Sequence, residues 1–327
     1  MKRSLGSLDG KVVLVTGATG SFGRKFLEVA LRETRLTKLI VFSRDELKQF
    51  EVRNLFPDED RLRFFLGDVR DRDRIYRAFD GVDVVIHAAA LKQIPAAEYN
   101  PFEFVQTNIV GAQNIIDAAI DRNVERVVAL STDKASSPIN LYGATKLVSD
   151  KLFVAGNVYV GGKPARFSIV RYGNVIGSRG SVVPHFREQA LTGKLSVTDV
   201  NMTRFWITLE RAVEMVFGAL DAMEGGEIFV PKIPSMRVMD LAKVLAADAK
   251  IEIVGIRPGE KMHEEMISAN DARRTLDRGD HFVIVPEIAV ELGKALDGVP
   301  VPSDFRYTSD ENDDWLDEAA LRAMLGE

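Results

Sequence analysis

The feature that most constrains the fold is an alternation of short runs rich in Val and Ile with longer amphipathic stretches. The apolar runs are KVVLVTG, KLIVFSR, VDVVIHAAA, RVVALST and RFSIVRYGNV. Runs that are apolar almost throughout suit strands covered on both faces, and the stretches between them suit helices with one apolar stripe. The alternation therefore predicts an α/β fold with a doubly wound parallel sheet.

The pattern changes after about Val175, where segments such as IGSRGSVVPHF and GGEIFVPKIPSM place Gly and Pro among short mixed strands. We expect residues 1–175 to form a first domain. Residues 176–327 are expected to form mainly a smaller, interleaved C-terminal lobe for the substrate, together with the tail. A helical pattern near 208–223 is expected to return to the first domain.

Composition and charge exclude several classes of function. The chain has 327 residues, a net charge of −5 and no strongly basic region, which argues against nucleic acid as a partner. It has no cysteine, which excludes disulfides, thiolate metal sites and cysteine nucleophiles, and we predict no metal site. The apolar runs are too short to span a bilayer, so we expect a cytoplasmic protein without a membrane anchor.

The segment VTGATGSFG places three glycines directly after the first predicted strand and at the start of a helix. Such glycines permit a tight turn, close approach of the backbone to a pyrophosphate, and packing of helix on strand. A merely structural turn is the alternative, but the strand–turn–helix context favours a Rossmann dinucleotide site. The residues predicted to bind the dinucleotide here are Gly17, Thr19, Gly20, Ser21, Phe22 and Gly23.

The end of the second predicted strand distinguishes the two nicotinamide dinucleotides. In an NAD site a carboxylate at this place accepts hydrogen bonds from the ribose hydroxyls. Here Ser43 and Arg44 occupy that place and, with Lys48, suit the 2′-phosphate of NADP. Asp45 follows at once, and it could instead cap the next helix. The sequence therefore favours NADP.

Further cofactor contacts are predicted where later strands end. His87 is interpreted as a packed residue at a strand end rather than as a base. The predicted contacts are Asp68 and Val69 near the adenine, and Ala88, Ala89, Ala90 and Lys92 at the end of the fourth strand.

A tyrosine and a lysine stand four residues apart in YGATK. If this segment opens a helix, Tyr142 and Lys146 lie on one face, where the ammonium and a bound nicotinamide would lower the tyrosine pKa. Such a tyrosine can take the proton of a sugar hydroxyl as hydride leaves carbon, and Thr132 supplies a hydroxyl upstream. The alternative is an ordinary pair on a helix surface.

Several longer segments make the chain recognisable. It resembles the extended short-chain dehydrogenase/reductase family from about Lys11 to about Glu287 and, more narrowly, the UDP-N-acetylglucosamine 4,6-dehydratases that invert carbon 5 and open the pseudaminic-acid pathway. STDKA, MTRFW and IRPGEK are far more specific than the glycine motif. The segments that carry the resemblance are TGATGSFG, FSRDELK, IHAAALKQIPAAEYNP, STDKASSPINLYGATK, RYGNVIGSRGSVVP, MTRFWIT, GGEIFVPKIPSM and IRPGEK.

The resemblance implies a reaction with three stages: oxidation at carbon 4, elimination of water across carbons 5 and 6, and return of the hydride to carbon 6. By analogy, Lys134 would be the base at carbon 5 and Asp133 would help to protonate the departing hydroxyl. A lysine base needs a pKa lowered by burial or by nearby positive charge. The alternative is that Lys134 only pairs with Asp133 or faces solvent.

The resemblance also implies contacts with UDP-N-acetylglucosamine in the second lobe, where arginine forks suit a diphosphate. Taken singly, each arginine could equally be a surface residue. Relatives of this kind often assemble, so a homo-oligomer is expected. The substrate-binding residues predicted are Lys92, Thr132, Asn174, Arg179, Val183, Thr203, Arg204, Arg257 and Glu260.

Three kinds of alternative function remain open. A UDP-hexose 4-epimerase or another sugar-nucleotide dehydratase could use the same fold, because one scaffold hosts many chemistries. An epimerase returns the hydride to carbon 4 and needs no acid–base pair for elimination, so Asp133 and Lys134 argue against it. The third alternative is an NADP-sensing binding protein without activity.

Overall fold

A computed structural model describes residues 5–178, 181–287 and 297–326 of the chain. The main sheet has ten strands in the order β16-β14-β15-β10-β6-β5-β4-β1-β2-β3, and smaller sheets pair β11-β9-β7, β12-β8 and β13-β17. The strands are β1 Val12–Thr16, β2 Lys38–Ser43, β3 Leu62–Leu66, β4 Val84–His87, β5 Arg126–Thr132, β6 Arg166–Tyr172, β7 Asn174–Val175, β8 Lys194–Val197, β9 Thr203–Ile207, β10 Ile228–Pro231, β11 Ser235–Arg237, β12 Lys250–Ile253, β13 Glu265–Ile267, β14 Thr275–Asp277, β15 His281–Ile284, β16 Val299–Pro300 and β17 Tyr307–Thr308.

Twelve α-helices occur within these described ranges. A π-helical segment, Val105–Val110, joins two of them, and a 3₁₀ turn, Asp133–Ala135, follows β5. No described helix combines the length and the hydropathy needed to cross a membrane. The helices are α1 Ser21–Glu33, α2 Glu46–Leu55, α3 Arg72–Ala78, α4 Ile94–Tyr99, α5 Pro101–Phe104, α6 Gly111–Asp121, α7 Leu141–Tyr159, α8 Val182–Ala190, α9 Leu209–Ala222, α10 Val238–Leu245, α11 Ala269–Ala272 and α12 Glu318–Leu325.

The main sheet is parallel from β3 through β2, β1, β4, β5 and β6 to β10, and β15 then pairs antiparallel with β10. Its central strands are apolar on both faces because helices cover both: β4, for example, is buried at every position. This confirms the predicted α/β fold with a doubly wound sheet. Strand order reverses between β1 and β4, and in open α/β sheets ligands bind outside the carboxyl ends of the strands at such a point.

Helix α9 lies against the first helix of the chain, although the two are far apart in sequence. Phe26 of α1 and Phe217 of α9 stack with ring centroids 5.3 Å apart, and both are fully or almost fully buried. The other face of the sheet is covered by α3, α6 and α7 around a second core that includes Phe153 and Phe167. The carboxyl ends of the strands are therefore held between two rigid helix layers.

The smaller lobe has its own core. Trp206 of β9, Leu241 of α10 and Leu321 of α12 are each at most 1% exposed and belong to one cluster. Segments of this lobe return to the sheet edge near the end of β5, where they meet the loop of residues 133–140. The fold thus places residues of both lobes around the carboxyl ends of β4, β5 and β6.

Candidate active site

A cleft of about 660 Å³ opens at the carboxyl ends of the central strands. Every described residue that was predicted to bind the dinucleotide lies on its wall, as do the five predicted catalytic residues. They are Gly17, Thr19, Gly20, Ser21, Phe22, Gly23, Ser43, Arg44, Lys48, Asp68, Val69, Ala88, Ala89, Ala90, Lys92, Thr132, Asp133, Lys134, Tyr142 and Lys146.

The glycine turn has the geometry that close contact with a pyrophosphate requires. Gly17 has φ +66°, and a Cβ there would lie 2.8 Å from the backbone nitrogen of Ala89. Helix α1 begins after Gly20, whose lack of a side chain leaves the first N–H groups without a side-chain cap. A helix N-terminus of this kind binds anions through its N–H groups and its dipole. The turn therefore fits the pyrophosphate of a dinucleotide.

Gly23→Ala is expected to lower the dinucleotide affinity about 5- to 150-fold, because overpacking of this kind costs about 1–3 kcal/mol. A Cβ at Gly23 would lie 2.5 Å from the Cα of Ala18, so the turn and α1 would have to separate. The bound dinucleotide per protomer and its dissociation constant are the measurements. Gly162→Ala is the matched control, since nothing lies within 4 Å of the added Cβ there. Equal affinity in both variants would contradict the packing role of Gly23.

The end of β2 carries two cations at the mouth of the cleft. The Arg44 side chain is 55% exposed and lies 3.7 Å from Asp68. Asp45 accepts a hydrogen bond at 3.0 Å from the backbone N–H of Lys48 and so caps α2, the alternative role considered for it in the sequence. The Asp45 carboxylate also pairs with the Lys48 ammonium at 2.8 Å, and Ser43, Arg44 and Lys48 all line the cleft.

The wall after β4 is fixed by an asparagine in the π-helical segment. The Asn108 side chain accepts from the backbone N–H of Leu91 and donates to its carbonyl, each at 2.9 Å, and also donates to Thr145 at 3.0 Å. This links the Ala88–Lys92 segment to α7. Burial and the charge of Lys134 lower the pKa of Lys92.

His87 is a packed residue, in agreement with its sequence interpretation. It is 2% exposed, and its Nδ1 lies 2.8 Å from the Thr16 hydroxyl. Burial, helped by the charge of Lys146, lowers the pKa of His87 to about 3. The imidazole is therefore neutral and supports the strand ends.

Tyr142 and Lys146 lie one turn apart at the start of α7. Asn140 caps the helix by accepting from the Gly143 N–H at 2.7 Å, and Lys146 donates to the Leu130 carbonyl at 2.8 Å. Tyr142 is 8% exposed and Lys146 is 4% exposed. Both side chains are thus held at the cleft wall by a well-ordered helix start.

The pKa of Tyr142 in the protein alone is raised, whereas the lowered pKa expected from the sequence included the charge of a bound nicotinamide. Burial raises the pKa of Tyr142 to about 12, although the charge of Lys134 and a hydrogen bond with Thr132 oppose the rise. Burial lowers the pKa of Lys146, while Asp150 opposes that fall. The raised pKa keeps the phenol neutral, because a buried phenolate has lost its water.

Asp133 and Lys134 lie in the 3₁₀ turn after β5, and a glutamate from the other lobe joins them. The Lys134 ammonium lies 3.1 Å from Oδ1 of Asp133 and 2.9 Å from Oε1 of Glu264. The Thr132 hydroxyl donates to Oδ1 of Asp133 at 2.8 Å. Asp133 is completely buried, and its Oδ2 has no hydrogen-bond partner within the described residues.

These contacts set the charges of the group. Burial alone would lower the pKa of Lys134, but the charges of Asp133 and Glu264 outweigh it and raise that pKa. The direction is opposite to the lowering that the sequence analysis expects of a lysine base. Burial and the charge of Glu264 raise the pKa of Asp133. Burial and the charge of Glu264 thus work against ionisation of Asp133, while the two carboxylates favour the ammonium form of Lys134.

A second cavity of about 90 Å³ adjoins the cleft. Lys134 and Asn174 line both cavities, so a ligand group could extend from one to the other past the lysine. Arg204 and Glu260, both predicted to bind substrate, line the smaller cavity, and their side chains lie 3.4 Å apart. The oxygens Asn174 Oδ1 and Glu260 Oε2 are buried without partners in the described part of the chain, so they are available to a donor.

Other predicted substrate residues lie elsewhere. Val183 is buried in the core of the smaller lobe. Thr203 is buried too, and its hydroxyl bonds to His263 Nδ1 at 2.8 Å and to Ser309 at 2.6 Å. Arg257 is exposed on a loop and is not among the described residues that line either cavity. Arg179 lies outside the described residues.

Glu260 and the segment IRPGEK were singled out in the sequence, but Glu264 and the contacts of residues 259–265 with the loop of residues 133–140 were not. Lys261 donates to the carbonyl of Ser136 at 2.6 Å, and Asn140 donates to the carbonyl of Gly259 at 2.7 Å. Glu265 accepts from the hydroxyls of Ser136 and Ser137. Residues 259–265 thus hold the loop of residues 133–140, although nothing in KMHEEM alone indicates which distant loop it meets.

Comparisons with known proteins agree with this architecture. A family model described as "Polysaccharide biosynthesis protein" matches residues 13–286. The chain is 50% identical over 329 aligned positions to the UDP-N-acetylglucosamine 4,6-dehydratase (inverting) of Campylobacter jejuni subsp. jejuni serotype O:23/36 (strain 81-176), covering 97% of this chain and 98% of that protein. It is 40% identical to the UDP-glucose 4-epimerase of Rickettsia canadensis (strain McKiel), covering 84% and 82%. The X-ray structure of Pen from Bacillus thuringiensis superposes with a TM-score of 0.89 at 37% identity, covering 97% of this chain and 98% of that one.

Proposed function

The chain belongs to the family of polysaccharide biosynthesis proteins, and from this premise we propose that it is an inverting UDP-N-acetylglucosamine 4,6-dehydratase. The observation that carries the proposal is the position of Lys134, which lies beside Asp133 and lines both cavities. An epimerase has no elimination step for this pair to serve. The 50% identity to a dehydratase supports the same choice over the 40% identity to an epimerase.

NADP is the proposed cofactor. When bound, its nicotinamide supplies a hydride acceptor for carbon 4 and a hydride donor for carbon 6. Gly17, Gly20 and the start of α1 would hold the pyrophosphate, and Ser43, Arg44 and Lys48 would hold the 2′-phosphate. The engagement of Asp45 in the helix cap supports NADP over NAD, because that carboxylate is not free to bind ribose hydroxyls.

Arg44→Ala is expected to weaken NADP binding about 10- to 100-fold and to change NAD binding less than about twofold, because a charge-assisted hydrogen bond contributes about 1.5–3 kcal/mol. The measurement is the dissociation constant of each dinucleotide for protein stripped of cofactor. Arg35→Ala, an exposed arginine at the other end of β2, is the control. Equal losses for both dinucleotides would show that Arg44 does not contact the 2′-phosphate.

Tyr142, Lys146 and Thr132 are proposed to serve the oxidation. The Tyr142 oxygen takes the proton of the 4-hydroxyl as carbon 4 is oxidised, and Thr132 hydrogen-bonds the same oxygen. A positive charge brought beside the phenol lowers its pKa from about 12 toward the working range. Lys146, which donates a hydrogen bond to the Leu130 carbonyl, would orient the ribose of the cofactor and the phenol of Tyr142.

Asp133 and Lys134 are proposed to carry out the elimination. The 4-ketone makes the proton on carbon 5 acidic, and the Lys134 amine takes that proton. The electron pair of the C5–H bond becomes the C5–C6 double bond as the C6–O bond breaks. Asp133 gives its proton to the departing oxygen, which leaves as water. The raised pKa of Asp133, for which burial is the largest cause, supports an acid in this role.

The remaining assignments are also proposals. Lys92, Asn174, Arg204 and Glu260 would bind the nucleotide sugar, since each lines at least one of the two cavities. We propose a homo-oligomer in the cytoplasm that supplies the pseudaminic-acid pathway. Residues 1–175 with the helix near 208–223 would hold the cofactor, and the rest of 176–327 would mainly hold the nucleotide sugar.

Proton NMR of the purified protein with UDP-N-acetylglucosamine in heavy water, with no cofactor added, tests the function. A new sugar methyl signal with deuterium at carbon 5 is expected, and the ring couplings should show inversion at carbon 5. Conversion to the galacto epimer would instead identify an epimerase. No change with any UDP-hexose would favour the NADP-sensing protein.

A further inference from the structure

Glu264 is a buried carboxylate that the proposed steps do not use. It is 1% exposed, lies 2.9 Å from the Lys134 ammonium and 3.7 Å from Nε of Arg204, and its Oε2 has no partner within the described residues. It lines the smaller cavity together with Lys134. A buried carboxylate needs a charged partner, and Lys134 is its nearest one.

The elimination requires protonation states that Lys134 and Asp133 alone cannot supply. Lys134 must enter the step as an amine, whereas Asp133 must enter it as a carboxylic acid. In the structure Lys134 is an ammonium, so it must first lose a proton. Asp133 cannot take that proton and still be ready, because it already holds the proton for the departing hydroxyl.

We propose that Glu264 is a positioning residue for the elimination: its carboxylate holds the Lys134 ammonium and takes the lysine proton once the substrate is bound, so that Lys134 becomes an amine while Asp133 stays protonated. The inference rests on the dehydratase function proposed above. It names the group that prepares the base, a role that sequence comparison alone does not give to Glu264.

The protons balance within three groups. Before the step, Asp133 and Glu264 hold one proton each and Lys134 is an amine. Lys134 then takes the proton of carbon 5 and Asp133 gives its own to the departing hydroxyl. The ammonium and the aspartate that remain lie 3.1 Å apart, so transfer of one proton between them restores both groups. The elimination itself therefore needs no acceptor outside the site. When hydride returns to carbon 6, carbon 5 takes up one proton, and the count closes with the proton that Tyr142 took from the 4-hydroxyl.

In the free protein the contact is an ion pair: the charges of Asp133 and Glu264 raise the pKa of Lys134 against the effect of burial, and the charges of Lys134 and Arg204 lower the pKa of Glu264 against the same effect. Neighbouring cations oppose the ammonium form. Arg204, Lys92 and Lys261 lie near Lys134, and each places positive charge against the ammonium. A bound substrate removes water from the mouth of the cleft. Without that water, a lysine amine beside a glutamic acid costs less free energy than the ion pair of the same two groups. The contact between Lys134 and Glu264 is therefore an ion pair in the free protein and a neutral pair in the substrate complex.

Glu264→Gln tests the proposal because glutamine keeps the size and one carbonyl oxygen but cannot take a proton. Dehydration should slow about 100-fold, within the range for loss of an acid–base group. Oxidation at carbon 4, followed by the absorbance of the reduced nicotinamide, and substrate affinity, followed by calorimetry, should change less than about twofold. In the variant Lys134 can lose its proton only to solvent, so dehydration should rise up to about tenfold per pH unit through the neutral range, where the wild type is flat.

Two further variants separate this role from a structural one. Glu264→Asp keeps a carboxylate and should keep a flat pH profile with a smaller loss of rate. Glu265→Gln removes the neighbouring carboxylate, which contacts Ser136, Ser137 and Arg306 instead of Lys134. It should give no pH slope. A Glu264→Gln enzyme that dehydrates at the wild-type rate, or more slowly with a flat profile, would overturn the inference.

If Glu264→Gln does not fold, the pH dependence of the wild-type dehydration rate tests the proposal instead. Transfer inside the site requires a dehydration rate that stays constant over about pH 6.5–8.5, and a tenfold rise per pH unit would overturn the proposal. Failure of the inference is distinct from failure of the function. In the first case the wild type dehydrates UDP-N-acetylglucosamine and the pH signature is missing, whereas in the second no dehydration occurs at all.

Discussion

Lys134→Met is expected to slow the dehydration of UDP-N-acetylglucosamine about 10³-fold or more, while the oxidation at carbon 4 survives. Methionine keeps most of the side-chain length but has no basic nitrogen, so no group takes the proton from carbon 5. Loss of a positioned general base costs about 10²–10⁴-fold, and here the carbon acid is weak, which favours the upper part of that range. The appearance of the sugar methyl signal in proton NMR measures dehydration directly.

The control for this variant is Lys151→Met, because Lys151 is exposed on α7 and is not among the described residues that line either cavity. That protein should dehydrate at the wild-type rate. Thermal unfolding of both variants should be recorded, since Lys134→Met leaves Asp133 and Glu264 without their shared cation. A folded Lys134→Met protein that dehydrates normally would exclude Lys134 as the base.

Tyr142→Phe is expected to lower both the oxidation at carbon 4 and the dehydration about 10³-fold. The ring keeps its packing with Ala97 and Phe104, so the change removes the hydroxyl and little else. Oxidation precedes elimination, and both rates therefore fall together. This joint loss distinguishes Tyr142 from Lys134, whose replacement leaves the oxidation intact.

Single-turnover absorbance of the reduced nicotinamide measures the oxidation, and proton NMR measures the dehydration. Tyr159→Phe removes a hydroxyl from the far end of the same helix, where the side chain is 64% exposed, and should change neither rate. If Tyr142→Phe retains fast oxidation, the proton acceptor at oxygen 4 must be a different residue.

Local features of the sequence predicted the cofactor site well. The predicted glycine turn, the residues after β2 and the segment Ala88–Lys92 all lie on one cleft, because the carboxyl ends of parallel strands meet at one edge of a sheet. Alternation of apolar runs is enough to indicate that arrangement. The cap formed by Asp45 also followed from local chemistry, since an N-cap contact spans only a few residues.

Contacts between segments that are distant in the chain could not be predicted from the sequence. Glu264 meets Lys134 only because residues 259–265 fold back onto the loop of residues 133–140, and no periodicity encodes that meeting. The ionisation of Lys134 depends on this contact, so its direction could not be expected either. Thr203 was predicted to bind substrate, yet β9 is buried on both faces and its hydroxyl is turned to His263 and Ser309.

The place of β10 in the sheet limits how this protein can be divided. β10 follows α8, β8 and β9 of the smaller lobe in sequence, yet it pairs in parallel with β6, a strand buried at all but its first position. A fragment that stopped after β6 would present an apolar edge with unpaired backbone groups, the kind of edge that recruits other chains into aggregates. The two parts of the chain therefore depend on each other for folding. We expect recombination or gene fission within this region to yield an insoluble fragment rather than a transferable cofactor-binding domain.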